Sequence, residues 1–300
     1  MAAGIARVGA TLDELGEGPV WDAREGCLYW LDVIGRKLNR LRHEQTADAD
    51  ATGSAAATHV PLAKLPGAMA LREQGGLLLA FRNGFGMTDK WGEPQWSVNQ
   101  TCIDFANERI NDGATDRAGR FWFGTFSPAI EPGAGALYRM DRDLSIHRMD
   151  GNITMSSGVA WSPGNKWMYF ADSRPGCVYR YPFSIETGAL GPREIFLNYG
   201  ERSGRPDGCT VDSEGYLWVA EPFGGSVSRY APDGSLNRAI QVPVSRPTSL
   251  TFGGTDLRTL FVTTMHLGMS PEMRAAESLA GALFAVDAGV RGMPEPRFNG

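Results

Sequence analysis

The chain has 300 residues, of which 42% are hydrophobic and 21% charged, and its formal net charge is −5. This acidic balance, without a run of Lys and Arg, argues against a nucleic-acid partner, and the lack of an 18-residue apolar stretch argues against a membrane one. With no charged and apolar signal pattern at the first residues, the sequence predicts a cytoplasmic protein with one domain, residues 1–300.

One short pattern recurs six times along the chain: an anchor residue, an apolar strand, a tight turn and a second strand rich in aromatic residues. The anchors, roughly 45 residues apart, are Gly18, Gly67, Gly113, Gly158, Gly208 and Thr248. This period predicts an all-β fold, a six-bladed β-propeller with four-stranded blades. We expect residues 282–287 to close the ring with residues 5–12, a helical turn near 271–277 and a loop at 43–59.

The residue before each anchor is expected at the mouth of the central channel. These residues are Glu17, Pro66, Asp112, Ser157, Asp207 and Pro247. Two carboxylates about 4 Å apart repel by roughly 4 kcal/mol at an effective dielectric constant near 20, so such a ring indicates a bound cation or a retained proton. Oxygen ligands favour Ca²⁺, Mg²⁺ or Mn²⁺, with Zn²⁺ and Fe²⁺ as alternatives. For any single position, an acidic turn former before glycine is the alternative explanation.

A propeller also brings the loops after the second strands to this same face, so we expect substrate contacts from them. Those loops begin at Asp32, Arg82–Asn83, Thr125–Phe126, Asp172–Ser173, Glu221–Phe223 and Met265–His266.

Several strings carry a resemblance that spans nearly the whole chain. LGEGPVW at 15–21, RINDG at 109–113, SGVAWS at 157–162, PDG at 206–208 and TTMHLGMSPE at 263–272 resemble the SMP-30/gluconolactonase/luciferin-regenerating-enzyme family. The resemblance implies a six-bladed propeller with one divalent cation, for which calcium is favoured, and hydrolysis of sugar lactones.

The resemblance also implies roles for particular residues. Glu17, Ser157 and Asp207 stand at the metal-ligand positions, Asp207 additionally at that of the general base, and Arg109 and Asn111 at substrate contacts. Two strings depart from the family. Ser157 replaces the usual Asn ligand, and Pro128 stands near the position where some members carry a substrate-binding Glu. The repeat itself does not decide whether Asn111 or its neighbour Asp112 points inwards.

The sequence thus predicts a metal-dependent lactonase whose partner is a small-molecule sugar lactone of the gluconolactone, xylonolactone or arabinonolactone type. No Gly-x-Ser-x-Gly string is present, which disfavours a covalent serine mechanism. The alternatives are a broader ester or enol-lactone hydrolase on the same scaffold, and a propeller that binds a metal or small ligand without turnover. A monomer or weak homodimer is expected.

Overall fold

Six antiparallel four-stranded sheets surround a central channel. The structure is a computed structural model that describes residues 4–42, 57–89, 91–92, 94, 96–98 and 102–300. Within each sheet the strands are hydrogen-bonded to their neighbours in a four-strand series. The predicted six-bladed propeller with four-stranded blades is therefore confirmed.

The strands of the first three blades follow one another in chain order from the channel outwards. Blade 1 comprises β2 (Gly16–Asp22), β3 (Cys27–Asp32), β4 (Lys37–Arg42) and β5 (Thr58–Pro61). Blade 2 comprises β6 (Pro66–Leu71), β7 (Leu77–Phe81), β8 (Gly84–Met87) and β9 (Trp96–Val98). Blade 3 comprises β10 (Arg109–Thr115), β11 (Phe121–Phe126), β12 (Gly135–Met140) and β13 (Ile146–Ile153).

The strands of the last three blades follow the same order, except that the fourth strand of blade 6 comes from the N-terminal end of the chain. Blade 4 comprises β14 (Ser156–Trp161), β15 (Trp167–Asp172), β16 (Cys177–Pro182) and β17 (Glu194–Asn198). Blade 5 comprises β18 (Cys209–Val211), β19 (Leu217–Glu221), β20 (Ser226–Tyr230) and β21 (Leu236–Gln241). Blade 6 comprises β22 (Pro247–Gly253), β23 (Thr259–Thr264), β24 (Leu283–Asp287) and the N-terminal β1 (Ile5–Val8).

The two ends of the chain meet in blade 6. β1 pairs antiparallel with β24, from Ile5 opposite Val286 to Val8 opposite Leu283. This pairing supplies the outermost strand and removes an open sheet edge. The helix α1 (Pro271–Ala276) lies in the long loop between β23 and β24, close to the predicted turn. No helix in the described ranges has the length and apolar character needed to cross a membrane.

Only part of the predicted loop at 43–59 can be assessed. Residues 43–56 lie outside the described ranges, whereas Thr58 and His59 are the first residues of β5. The loop therefore ends earlier than expected, because His59 pairs with Asn39 of the neighbouring strand.

The second strand of a blade is buried at every position, or at all but its first in β15 and β23, whereas the described fourth strands are more open. All positions of β3, β7 and β11 are buried, whereas β21 is mostly exposed. The second strands lie between the faces of neighbouring blades, so both of their faces contact protein. This position explains the unbroken apolar and aromatic runs of the repeat.

Anchor glycines allow the inner strands of consecutive blades to approach closely. A methyl group at Gly158 would lie 2.4 Å from the backbone nitrogen of Cys209, and one at Gly208 would lie 2.6 Å from Cα of Ser249. Distances this short leave no room for a side chain. At Gly67, Gly158 and Gly208 the glycine is thus required by the packing of inner strands around the axis.

Buried aspartates hold the turns on the face away from the mouth. Asp212 accepts hydrogen bonds from Trp218 Nε1 at 2.9 Å, from Arg229 Nε at 2.8 Å and from two backbone amides of its turn. Asp116 occupies the corresponding turn of blade 3 and accepts from Trp122 Nε1 at 2.8 Å. The aspartate of the repeat therefore ties the turn to the core, beyond its role as a turn former.

The C-terminal residues 289–300 cross the face opposite the mouth. Backbone hydrogen bonds join this tail to blades 5, 6, 2 and 3 at Ser213, Leu257, Leu71 and Gly119. Phe298 of the tail is completely buried. The tail thus connects four blades and lies across the far end of the channel.

We predict that Asp212→Ala lowers the free energy of unfolding by about 3 kcal/mol or more, because it leaves a buried guanidinium and an indole N–H without their acceptor. Asp233→Ala is the control, since Asp233 lies in an exposed turn and accepts its hydrogen bonds from the backbone and side chain of nearby Ser235. Urea denaturation of both variants measures the difference. Equal stabilities for the two variants would contradict this role of the buried aspartate.

Candidate functional site at the channel mouth

A β-bulge lies at the anchor of the inner strands. In β10 the pairing with β11 steps from Ile110 to Gly113 across one partner residue, so that Asn111 and Asp112 share that partner. The register also shifts at or beside the anchor in β2, β6, β14 and β22. A bulge turns side chains away from the regular alternation of a strand. Both Asn111 and Asp112 consequently lie at the mouth, which explains why the sequence did not choose between them.

Blade 5 reaches the same geometry just before its inner strand begins. The amide of Asp207 donates to the carbonyl of Ala220 at 3.0 Å, and the amide of Ala220 donates to the carbonyl of Gly208 at 2.9 Å. One residue of β19 therefore faces two residues of the entering chain. Asp207 is placed at the mouth as Glu17 and Asp112 are.

Three carboxyl groups from blades 1, 3 and 5 influence one another at the mouth. Burial raises the pKa of Glu17 well above its ordinary value, and the charges of Asp207 and then Asp112 raise it further. Burial, followed by the charge of Asp112, raises the pKa of Asp207 to about 8. Burial also raises the pKa of Asp112 to about 6. The fold therefore places these acids near enough for the charge of one to oppose the ionisation of another.

The glycine after each acid also provides a hydrogen-bond donor. The amide of Gly113 donates to Oδ1 of Asp112 at 2.7 Å. Hydrogen bonds from the backbones of Gly18 and Gly208 lower the pKa of Glu17 and Asp207 respectively, against the larger effect of burial. These amides orient the carboxylates and offset part of their repulsion.

Ser157 contributes a buried hydroxyl beside Asp207. A hydrogen bond between these two side chains lowers the pKa of Asp207 against the effect of burial. The Ser157 Oγ also lies 2.6 Å from Oγ of Ser173, which donates to the carbonyl of Pro206 at 2.7 Å. Ser157 is therefore part of a short polar chain that ends one residue before Asp207. The sequence predicted Ser157 at this position but gave no indication of Ser173 as its partner.

Arg109 and Asn111 form the edge of the mouth between blades 3 and 4. Asn111 Nδ2 donates to the carbonyl of Ser156 at 2.7 Å, and its Oδ1 accepts from Arg109 at 3.4 Å. The Arg109 guanidinium lies 4.4 Å from the ring centre of Phe126. Asn111 thus bridges two blades, and Arg109 is held between an amide and an aromatic face.

The chemical type of the oxygen atoms at the mouth suits a hard divalent cation. Glu17 and Asp207 supply carboxylates that repel each other without a cation, and Ser157 supplies a third oxygen in contact with one of them. Carboxylate and hydroxyl oxygens suit Ca²⁺, Mg²⁺ and Mn²⁺. Among the residues the structure describes, no three His, Cys, Asp or Glu side chains are grouped closely enough to hold an ion.

Comparison with known proteins identifies the family. Residues 15–266 match the SMP-30/Gluconolactonase/LRE-like region. The chain belongs to this family. A relative within it, the 6-deoxy-6-sulfogluconolactonase of Pseudomonas putida, is 38% identical over 287 residues, which is 95% of each chain. The family resemblance drawn from the sequence strings is therefore confirmed.

Two further proteins to which the chain is similar are a lactonase and a calcium-binding protein. A pentonolactonase of Haloferax volcanii is 34% identical and covers 98% of this chain and 97% of its own. The solved structure of regucalcin from Agrobacterium tumefaciens strain C58, a calcium-binding protein, has a TM-score of 0.88 and 27% identity, and covers 98% of this chain and 97% of its own.

We predict that Glu17→Gln stabilises the metal-free protein at pH 9, because the folded state holds the pKa of the Glu17 carboxyl well above its ordinary value. A carboxyl group with a raised pKa in the folded state destabilises the fold as the pH rises through that pKa. At pH 4, below the ordinary pKa of a glutamate, the carboxyl is largely protonated in both the folded and the unfolded chain, so the advantage becomes small.

Urea denaturation with a chelator present, at both pH values, measures this difference. Glu14→Gln is the control, since Glu14 lies three residues before Glu17 and is not one of the six residues that precede an anchor. If Glu17→Gln and the wild type have the same stability at pH 9, the carboxyl groups do not repel each other as inferred.

Proposed function

We propose that this protein is a metal-dependent lactonase that hydrolyses a sugar acid lactone to the free sugar acid. The observation that carries the proposal is the group of mutually repelling carboxyls from three blades at the mouth of the channel. The lactonases among its relatives support it. One is named for a sulfonated gluconolactone and another for pentonolactones, so the relatives do not by themselves choose the sugar.

In this proposal Glu17, Asp207 and Ser157 hold one divalent cation. Calcium is favoured by the oxygen ligands and by a calcium-binding regucalcin among the similar structures. When bound, the cation supplies a Lewis acid for the lactone carbonyl oxygen. Ser157 offers a shorter reach than the family's usual Asn, and its hydroxyl is already bonded to Ser173.

Asp207 is the proposed general base. Its carboxylate accepts a hydrogen bond from the backbone of Gly208 and lies beside the Ser157 hydroxyl, and both neighbours limit its rotation. A fixed carboxylate facing the mouth can take a proton from the attacking water and return it to the alkoxide that leaves when the ring opens. These two proton transfers require no other proton carrier.

Arg109 and Asn111 are the proposed substrate contacts. Both are half-buried at the edge of the mouth, and the stacking of Arg109 on Phe126 restricts the guanidinium. Hydrogen bonds from such restricted groups orient a sugar at a small entropic cost. Pro128, near a position at which some members have a substrate-binding Glu, cannot form an ionic contact, so the hydroxyl pattern recognised here differs from theirs.

One alternative is a propeller that binds calcium without turnover. The regucalcin relatives and the substitution at Ser157 favour this alternative over a broader ester or enol-lactone hydrolase. A cytoplasmic location and a monomeric or weakly dimeric state stay predictions from the sequence.

Proton release after addition of gluconolactone or xylonolactone tests the proposal. We expect release faster than in buffer, loss of the rate in the presence of a chelator, and recovery with Ca²⁺. Asp207→Asn should lower kcat/KM at least about 100-fold, since it removes the general base. Asp256→Asn, in an exposed turn on the opposite face, is the control with the same chemical change.

Two results would count against the lactonase. If the protein binds Ca²⁺ but opens no lactone or ester of a broad panel faster than buffer, the binding alternative holds. If Asp207→Asn keeps most of the activity, another group is the base.

A further inference from the structure

Arginines surround the mouth without carboxylate partners. Within the part of the chain that the structure describes, no ion pair is formed by Arg82, Arg109, Arg174, Arg205 or Arg246. Arginine is weakly hydrated and matches the oxygen geometry of carboxylate, phosphate and sulfonate groups. An unpaired group of arginines beside a small-molecule site therefore indicates an anionic ligand.

Acids near these arginines are used within the protein. Asp32 accepts from backbone amides of Leu15 and Gly35, and Asp172 accepts from those of residues 154 and 155. Glu221 is buried and accepts from two tyrosines and a serine. These carboxylates satisfy local donors, so they do not neutralise the arginines of the mouth.

Arg82 and Arg109 are neighbours across the boundary between blades 2 and 3. Arg82 begins the loop after β7, and its amide donates to the carbonyl of Leu65 at 2.8 Å, beside the start of β6. At the next residues β6 and β10 are in contact, since a methyl group at Gly67 would lie 2.5 Å from the carbonyl oxygen of Ile110. The charge of Arg82 accordingly adds to burial in lowering the pKa of Arg109.

The two arginines differ in how firmly they are held. Arg109 is fixed by Phe126 and Asn111, and its buried Nε has no hydrogen-bond partner among the described residues. The Arg82 side chain is exposed. One guanidinium is thus oriented in advance while the other can close onto a ligand, and an anion between them would relieve their repulsion.

We propose that Arg82 and Arg109 form a subsite for an anionic substituent, a sulfonate or phosphate, on the end of the lactone distant from the ring carbonyl. This inference rests on the proposed function. Arg109 precedes Asp112 by three residues of the same strand, which corresponds to about 10 Å along a regular strand and less across the bulge. The subsite and the carboxyl groups of Glu17, Asp112 and Asp207 would therefore hold opposite ends of one substituted sugar acid.

Binding of sugar acids tests the subsite without requiring turnover. Gluconate, 6-phosphogluconate and 6-deoxy-6-sulfogluconate share a carboxylate and differ only at carbon 6. Calorimetry with Ca²⁺ present should give at least a 10-fold tighter Kd than that of gluconate for one or both of the acids with an anionic group at carbon 6. Measuring the two acids separately distinguishes phosphate from sulfonate. Arg82→Gln should reduce that preference to less than 3-fold.

Arg174→Gln is the matched control, because Arg174 is also an exposed mouth arginine but lies in blade 4. It should keep the preference of the wild type. Equal binding of all three acids by the wild type would overturn the subsite, and so would a preference that Arg174→Gln lowers as much as Arg82→Gln does.

Activity separates this inference from the proposed function. In a functional lactonase, Arg82→Gln should lower the ratio of kcat/KM for a carbon-6 anionic lactone to that for gluconolactone by at least 10-fold. A protein that opens no lactone but binds the acids with an anionic carbon-6 group through Arg82 would refute the lactonase and support the subsite. A lactonase without a preference for an anionic carbon-6 group would support the proposed function and refute the subsite.

Discussion

The close approach of six inner strands around one axis is the constraint on which the rest of the molecule depends. Gly158 and Gly208 permit that approach because any side chain there would collide with the next blade. A bulge at or beside the anchor interrupts the regular alternation of side chains where the site residues lie. Packing and placement of the site are thus consequences of one short segment repeated around the ring, and a change in that segment would affect both.

This arrangement has an energetic cost at the mouth. Half-buried carboxyls of Glu17, Asp112 and Asp207 repel one another, and burial opposes their ionisation. The rest of the fold offsets the cost through interactions far from the mouth: the buried aspartate turns, the closure of blade 6 and the C-terminal tail across four blades. A site that is unfavourable without its ligand is expected where affinity for a cation is needed.

Much of this could be predicted because the information is local and repeated. The spacing of the anchors predicted the propeller, and the position before each anchor predicted Glu17, Ser157 and Asp207 at the mouth. The choice between Asn111 and Asp112 could not be predicted, since a one-residue register is undefined at a bulge that places both there. The partner of Ser157 was also missed, because Ser173 follows the second strand and no pattern links it to the first.

Contacts without a repeat were beyond sequence reasoning for the same physical reason. The path of the C-terminal tail depends on residues such as Phe298, which pairs with Arg72 in blade 2. The proximity of Arg82 to Arg109 depends on how neighbouring blades pack, and the sequence placed them only on the same face.

Anomalous diffraction from crystals grown with Ca²⁺ or Mn²⁺ tests the central claim most directly. The account predicts one ion bonded to the carboxylates of Glu17 and Asp207, about 2.3–2.6 Å away for calcium. An ion bound elsewhere, with these two carboxylates directed apart into solvent, would contradict it.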